Sequence, residues 1–590
     1  MAAIDPHSYS DLSQGKIKHI EFQIGVDFQG RALQVRAKYR MDRPVSGSLF
    51  LDSRGVEIKQ ISSGTKRIEY EMDVQDPILG ARLCLKDLDA VGELAIELTT
   101  SPEARALQWL EPRQTTGGRH PFLYSQCYSL HARSIFPCQD TPSVRFTYEA
   151  HLRVPRNLAA VMAAAPLGAR EEGETKTYSF RMPQPVPSYL FAFAVGDLRF
   201  KELGARTGIY AEPEMLEAAA WEFAENERKM DEAERLLGPY LWDRYDLLIL
   251  PPSFPYGGME NPRLTFITPL AVLGDRSRTS LISHELAHAW TGNLVTNATW
   301  EDFWLNEGWT TYAESRITEV VEGEEQTRLQ DAYAQMHMKE EMQIFGEGSD
   351  LTCLKVPMKG INPDEVVSSI PYTKGQLFLS SLERAVGRER FDGFIHKYIA
   401  RYSFQSLSTE GFVEFLKEEL PEAPEKVDIQ EWLYRPGLPA GIPPASSRLY
   451  EDVKARLAAY ERGILPTGED VQGWRFLQKT IFFDSLPERI PPKDCQYFEE
   501  LFGLGESLPT LFLMKFYRVC IRSDYREALP GIERLVLREG RVAILKPLFR
   551  CMLENEWTRD LARPMFESAR ERYHPITATV LDALLIQAGV

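Results

Sequence analysis

His284-Glu285-Leu286-Ala287-His288, followed after eighteen residues by Glu307, constrains this chain more than any other feature of it. On a helix, histidines at i and i+4 project from one face about one turn apart. Both imidazoles can then grip a single Zn²⁺, with Glu285 beside them to act as general base on a water. Glu307 stands in Trp304-Leu305-Asn306-Glu307-Gly308-Trp309, a carboxylate among apolar neighbours that is expensive to bury unless paired or metal-bound. Three protein ligands with a fourth position left open describe a catalytic zinc, whereas structural zinc closes its sphere with four ligands. Two helical turns beyond Glu307, Glu314 shares its face. It reads equally as a partner that orients a ligand imidazole or as a solvated surface glutamate.

Upstream, the apolar run Leu247 to Leu250 and the break Pro251-Pro252 lead into Tyr256-Gly257-Gly258-Met259-Glu260-Asn261-Pro262. This predicts a strand running into a loop whose two glycines let another chain approach the backbone closely. A carboxylate there, near a dication, suits a substrate ammonium, and Glu260 is the candidate. Taken alone, such a Gly/Asn/Pro cluster also makes ordinary turns.

The HExxH-x18-E pattern joined to Gly-Gly-Met-Glu-Asn resembles the M1 zinc aminopeptidases. Four further segments are similar to the branch of leukotriene A4 hydrolase and its microbial aminopeptidase relatives. They are Pro251-Pro252-Ser253-Phe254-Pro255-Tyr256, Trp290-Thr291-Gly292-Asn293-Leu294-Val295, Pro137-Cys138-Gln139-Asp140-Thr141-Pro142 and Pro371-Tyr372-Thr373-Lys374-Gly375. The likeness extends to His574-Pro575-Ile576-Thr577-Ala578 near the carboxyl end. It implies one zinc per chain on His284, His288 and Glu307, Glu285 as base, and Tyr372 as the donor to the oxyanion. It also implies a substrate-binding set of Tyr256, Gly257, Gly258, Met259, Glu260 and Gln126, with Asp364 and Arg541. Arg541 matches an arginine that clasps a substrate carboxylate, a task suited to its bidentate fork; by residue type alone it reads as a solvated surface arginine. Three positions depart from the branch. Tyr128 replaces a glutamine of the amine-binding network, Val367 replaces a tyrosine, and Ala543 replaces a lysine near the clasp.

The function expected is removal of the N-terminal residue from short peptides with a free amino group. A lipid epoxide hydrolase is the alternative that the branch implies, with Asp364 directing water, but Val367 and Ala543 speak against it. A non-catalytic binding or scaffold protein is the other. Retention of every ligand, Glu285 and Tyr372 argues against that reading. The preferred N-terminal residue stays open; Asp364 would favour Arg or Lys if it lined the first pocket.

At 590 residues the chain should divide into about three or four domains. From about residue 17 to 200 short alternating runs predict strands: Ile20 to Phe28, Leu33 to Tyr39, Ile68 to Val74, Leu94 to Leu98 and Val144 to Leu152. After about 203 the period becomes helical, with one continuous amphipathic helix expected over Pro213 to Leu237, and from Leu449 onward nearly every apolar pattern is helical. A multidomain α+β protein follows, with an N-terminal β domain (1–202), a catalytic domain (203–435), a Pro/Gly-rich linker (436–448) and a helical domain (449–590). The resemblance makes the first saddle-like, the second thermolysin-like and the last solenoid-like, with the active site in the cleft between them.

The formal charge of −17 and the lack of a long basic run argue against nucleic acid or an anionic membrane as partner. The seven cysteines are odd in number and show no CxxC pairing, which suits free thiols in a reducing compartment. With no signal-peptide pattern and no apolar stretch near eighteen residues, the cytoplasm is the expected location. A monomer is favoured.

Overall fold

The computed structural model describes residues 5–276, 279–346, 348–504 and 510–590. Its first layer is a nine-stranded sheet in which Ile17–Asp27 lies between Ala32–Ser53, antiparallel, and Arg145–Pro155, parallel. The predicted alternation appears as burial: Ile20, Phe22 and Ile24 are enclosed while Gln23 is exposed. Residues 68–74 depart from expectation. They give only the three-residue strand Tyr70–Met72, and Val74 is 92% exposed, because the pairing with Ala81–Thr99 ends at Met72↔Leu83.

A four-stranded sheet holds Leu107–Leu110, Phe122–Ser125, Ala159–Met162 and Phe193–Gly196. Phe122–Ser125 leads directly into Gln126 and Tyr128. A five-stranded sheet follows in the order Arg199–Glu202, Thr207–Ala211, Tyr245–Ile249, Leu264–Ile267, Gly258–Met259. Three elements of this region differ from the sequence expectation. The sheet begins at Arg199, ahead of the change in period, because that strand pairs with Thr207–Ala211. The run from Pro213 to Leu237 splits into Pro213–Glu222 and Asn226–Leu237, since the chain leaves the helix at Phe223 and buries that ring. Gly258–Met259 is an edge strand rather than loop, because the turn at Asn261-Pro262 folds it back onto Leu264–Ile267.

The N-terminal and central regions share one continuous apolar core, and the C-terminal helices enclose a second one. These helices run from Arg448–Glu461 to Pro575–Gln587. The linker is fastened rather than loose: Gly437 N donates to Thr352 Oγ1 at 2.9 Å and Ala445 N to Gln335 Oε1 at 3.1 Å. No helix among the described residues is long and apolar enough to cross a membrane.

Trp304–Val321 and Ile370–Val386, the helices that carry Glu307 and Tyr372, touch backbone to backbone. A Cβ on Gly375 would lie 2.6 Å from Gly308 Cα, and one on Gly308 would lie 2.8 Å from Gly375 Cα. Only two glycines permit this approach. Gly375→Ala is therefore expected to force the helices apart, destabilise the protein by about 1–3 kcal/mol and lower its Tm. Gly393→Ala, in the helix Arg388–Tyr402 where a new Cβ meets nothing within 4 Å, should leave Tm unchanged or raise it slightly through helix propensity. Thermal unfolding of the two variants checks the contrast; equal Tm values would remove this role for the glycine pair.

Candidate active site

His284 and Glu285 sit in the helix Ser280–Ala287, and His288 is its C-cap, still with helical dihedrals and with its N–H bonded to His284 O. The i, i+4 relation therefore survives although the helix ends at Ala287. His284 Nε2 lies 3.1 Å from His288 Nε2 and 3.2 Å from Glu307 Oε2, and His288 Nε2 lies 3.4 Å from the same oxygen. Ligands about 2.0–2.1 Å from a tetrahedral zinc stand about 3.3–3.4 Å from one another, so the three atoms have the spacing of one tetrahedral face.

The far nitrogens are held as a metal site needs. His284 Nδ1 faces Glu314 Oε2 at 3.0 Å, and His288 Nδ1 faces Thr291 O at 3.1 Å and Thr310 Oγ1 at 3.0 Å. A proton donated from Nδ1 leaves each Nε2 with its lone pair toward Glu307. Glu314 is thus engaged with a ligand imidazole rather than merely solvated. Thr291 and Thr310 escaped the sequence reading, because a threonine at these positions carries no spacing signal of its own. The donor set is right for zinc: two imidazoles and one carboxylate whose Oε2 is buried with no hydrogen-bond partner among the described residues. Against the burial that would raise it, His288 and His284 hold the Glu307 carboxyl down at about 2.

Glu285 is buried under the edge strand, and a Cβ on Gly258 would overlap its carboxylate. Gly258 is therefore required for Glu285 to occupy this position. Burial lifts the Glu285 carboxyl to about 8 against the pull of His284 and His288. Glu260, Glu285 and His288 also bring ligand atoms within 4.8 Å of one another, which sets Glu260 beside the triad. The Asn293 amide donates to Glu260 O at 2.7 Å and fixes that turn.

Glu260 Oε1 and Gln126 Oε1 also lack partners among the described residues. Gln126 donates its own amide to Met259 Sδ at 3.2 Å, so its oxygen is the free end. Tyr372, in the first turn of its helix, lays its ring on His284 with centroids 5.8 Å apart and hydrogen-bonds Glu307. Burial, then the carboxylates of Glu307 and Glu260, keep its phenol protonated.

Tyr128 stands among aromatic rings, against Trp300, Tyr256, Phe303 and Tyr189. Tyr256 Oη is buried without a partner among the described residues. Asp364 is brought to the same region, but both its oxygens are engaged, by Ser129 Oγ at 3.0 Å and His131 Nε2 at 2.8 Å. That pairing leaves neither oxygen without a donor. Arg541 is not the surface arginine its residue type suggests. It is buried, its Nε and Nη1 have no partner among the described residues, and its Nη2 lies 3.7 Å from where a Cβ on Gly257 would be. Val367 is partly exposed and Ala543 supplies no second cation beside it.

Three family patterns match the chain in order: "Peptidase M1 N-terminal domain" over residues 18–190, "Peptidase family M1 domain" over 221–433 and "Leukotriene A4 hydrolase, C-terminal" over 474–585. The chain is 36% identical to a leukotriene A-4 hydrolase of Xenopus laevis, covering 97% of this chain and 98% of that protein. It is 35% identical to a leucine aminopeptidase 2 of Pyricularia oryzae, over 99% of this chain and 98% of that one. A solved structure of yeast LTA4 hydrolase in complex with bestatin superposes with a TM-score of 0.90 at 29% identity, covering 99% of this chain and 97% of the other. The chain belongs to peptidase family M1, and to the branch that carries the leukotriene A4 hydrolase C-terminal domain.

Proposed function

We propose that the protein is a zinc-dependent aminopeptidase that removes the first residue from short peptides, with one zinc per chain held by His284, His288 and Glu307. The observation that carries the reading is the buried Glu260 Oε1, unpartnered among the described residues and close to His288, with the Gln126 amide held against the adjacent Met259 and its Oε1 also unpartnered. A free α-ammonium, a cation with three donors, suits these acceptors, and an endopeptidase has no need of them.

Zinc held by His284, His288 and Glu307 would supply Lewis acidity to the scissile carbonyl and to the attacking water. Glu285 takes the proton of the attacking water and passes it to the departing amine, first base and then acid. The Tyr372 phenol donates to the developing oxyanion. Arg541, with its unpartnered guanidinium against Gly257, takes the C-terminal carboxylate of a short peptide. Tyr256, Gly257, Gly258 and Met259 border the chain that lies between these two ends.

Metal analysis of purified protein is expected to find zinc near one equivalent in wild type and strong depletion in His288→Ala. A fully loaded variant would remove the ligand assignment.

Tyr372→Phe should lower kcat by about 10² to 10³ while KM moves only a few-fold, because the lost hydrogen bond belongs to the transition state. Near wild-type kcat would reduce Tyr372 to a packing residue.

An acetylated peptide offers no cation and leaves Glu260 buried and unpaired, so wild type should cleave free-amine peptides far faster than their acetylated counterparts. Glu260→Ala should erase most of that preference by slowing the free-amine substrate. Equal rates on both substrates by wild type would defeat the aminopeptidase reading while leaving the metal site standing.

A further inference from the structure

A substrate held at both ends of its first residue has one direction left for that residue's side chain. The ammonium sits at Glu260 and Gln126, and the carbonyl faces His284, His288, Glu307 and Tyr372. The side chain leaves the Cα between those anchors. Tyr128 stands two residues beyond Gln126 and is only 9% exposed. Its ring centroid lies 5.0 Å from Trp300, 5.8 Å from Tyr256, 6.0 Å from Phe303 and 6.1 Å from Tyr189, and Phe303 in turn lies 6.1 Å from Tyr372. Three of its contacts are edge-on, the arrangement in which rings interlock rather than slide.

The backbone on both sides of Tyr128 is pinned. Gln126 N donates to Ala106 O at 2.7 Å, Ser129 Oγ to Asp364 Oδ1 at 3.0 Å, and His131 N to Cys127 O at 2.9 Å. Burial raises its hydroxyl well above the usual phenol range, and Tyr372, Glu307, Tyr256 and Glu260 push it further the same way.

We propose that Tyr128 is the specificity-determining residue of the site: its ring fills the inner end of the pocket for the first side chain, admitting small and medium residues and excluding Phe and Trp. The inference rests on the aminopeptidase reading. Removing the ring opens a recess lined by Trp300, Phe303, Tyr189 and Tyr256, directly beside the scissile bond and apolar enough to take a large side chain.

The test is steady-state kcat/KM on free-amine Ala, Leu and Trp 4-nitroanilides, with zinc content and Tm recorded for each protein. Tyr128→Ala is expected to raise the Trp:Ala ratio by about tenfold or more, the scale set by a few methylene groups gaining a pocket. Tyr128→Phe, which keeps the plug and loses only the hydroxyl, should leave the ratio within about threefold of wild type, whatever it does to the absolute rates. If Tyr128→Ala does not fold, Tyr128→Gln reads the same loss of ring with a better-filled site and should move the ratio in the same direction. A zinc-loaded variant without the ring whose ratio is unmoved overturns the proposal, and so does a Phe variant that shifts it as far as Ala. Failure of the aminopeptidase reading looks different: wild type itself, fully loaded with zinc, would then turn over none of the three anilides.

Discussion

One oxygen, Oε2 of Glu307, organises the centre of this molecule. It stands within 3.4 Å of the Nε2 atoms of both histidines, and its own carboxylate also receives the Tyr372 phenol. Three helices must converge for this to happen, and the separations are set by small residues rather than by the polar groups. Gly308 and Gly375 let two of the helices meet at their backbones, and Gly258 leaves the space that the Glu285 carboxylate fills. The chemistry is thus specified twice, once by the groups that act and once by the missing side chains that let them approach. Substituting a glycine here disturbs the site without touching any ligand.

The charge balance explains why such a cluster can be buried at all. Glu260, Glu285 and Glu307 are three carboxylates in one enclosed space, and an uncompensated buried carboxylate is strongly disfavoured. On the proposed reading, a dication on the triad would offset two of these charges, and a substrate ammonium at Glu260 would offset the third. The deficit left before substrate binds would then favour a free N-terminus over a blocked one. Burial lifts the Glu285 carboxyl to about 8 even against the pull of His284 and His288, and a dication on the triad would draw it down toward its base form.

Much of this was readable in the chain, for reasons that differ between elements. The HExxH helix, the strand alternation of Ile20, Phe22 and Ile24 and the helical C-terminal region follow from local periodicity, which is strong where one face is buried. The edge strand Gly258–Met259 was not readable, because its pairing comes from a turn and a partner strand rather than from any pattern within two residues. Nor was the break at Phe223, where the burial of one ring in a distant core overrides a continuous helical composition. At the site, the candidate metal ligands announce themselves by spacing. Thr291, Thr310 and Asn293 do not, since what they contribute is a single oxygen or amide positioned by tertiary structure. Arg541 shows the limit most plainly: nothing in Glu539-Gly540-Arg541-Val542 says whether the guanidinium meets water or a cleft.

The burial of Arg541 also brings the C-terminal helices up to the candidate site. They enclose a core of their own, yet the turn that carries Arg541 is bonded to the strand-to-edge segment of the central region, with Val542 N donating to Pro255 O at 3.1 Å. Gly540 packs so closely on Ser253 that a Cβ there would lie 2.6 Å from Ser253 Cα. That contact ties the distance between Arg541 and Glu260 to the seating of one domain on the other. On the proposed reading, a peptide held by its ammonium at Glu260 and its carboxylate at Arg541 would have to span that distance, so the docking of two cores would limit the length of peptide gripped at both ends. Longer chains would keep the N-terminal anchor and lose the second, and a preference for short peptides would then be a property of the domain arrangement rather than of any single side chain.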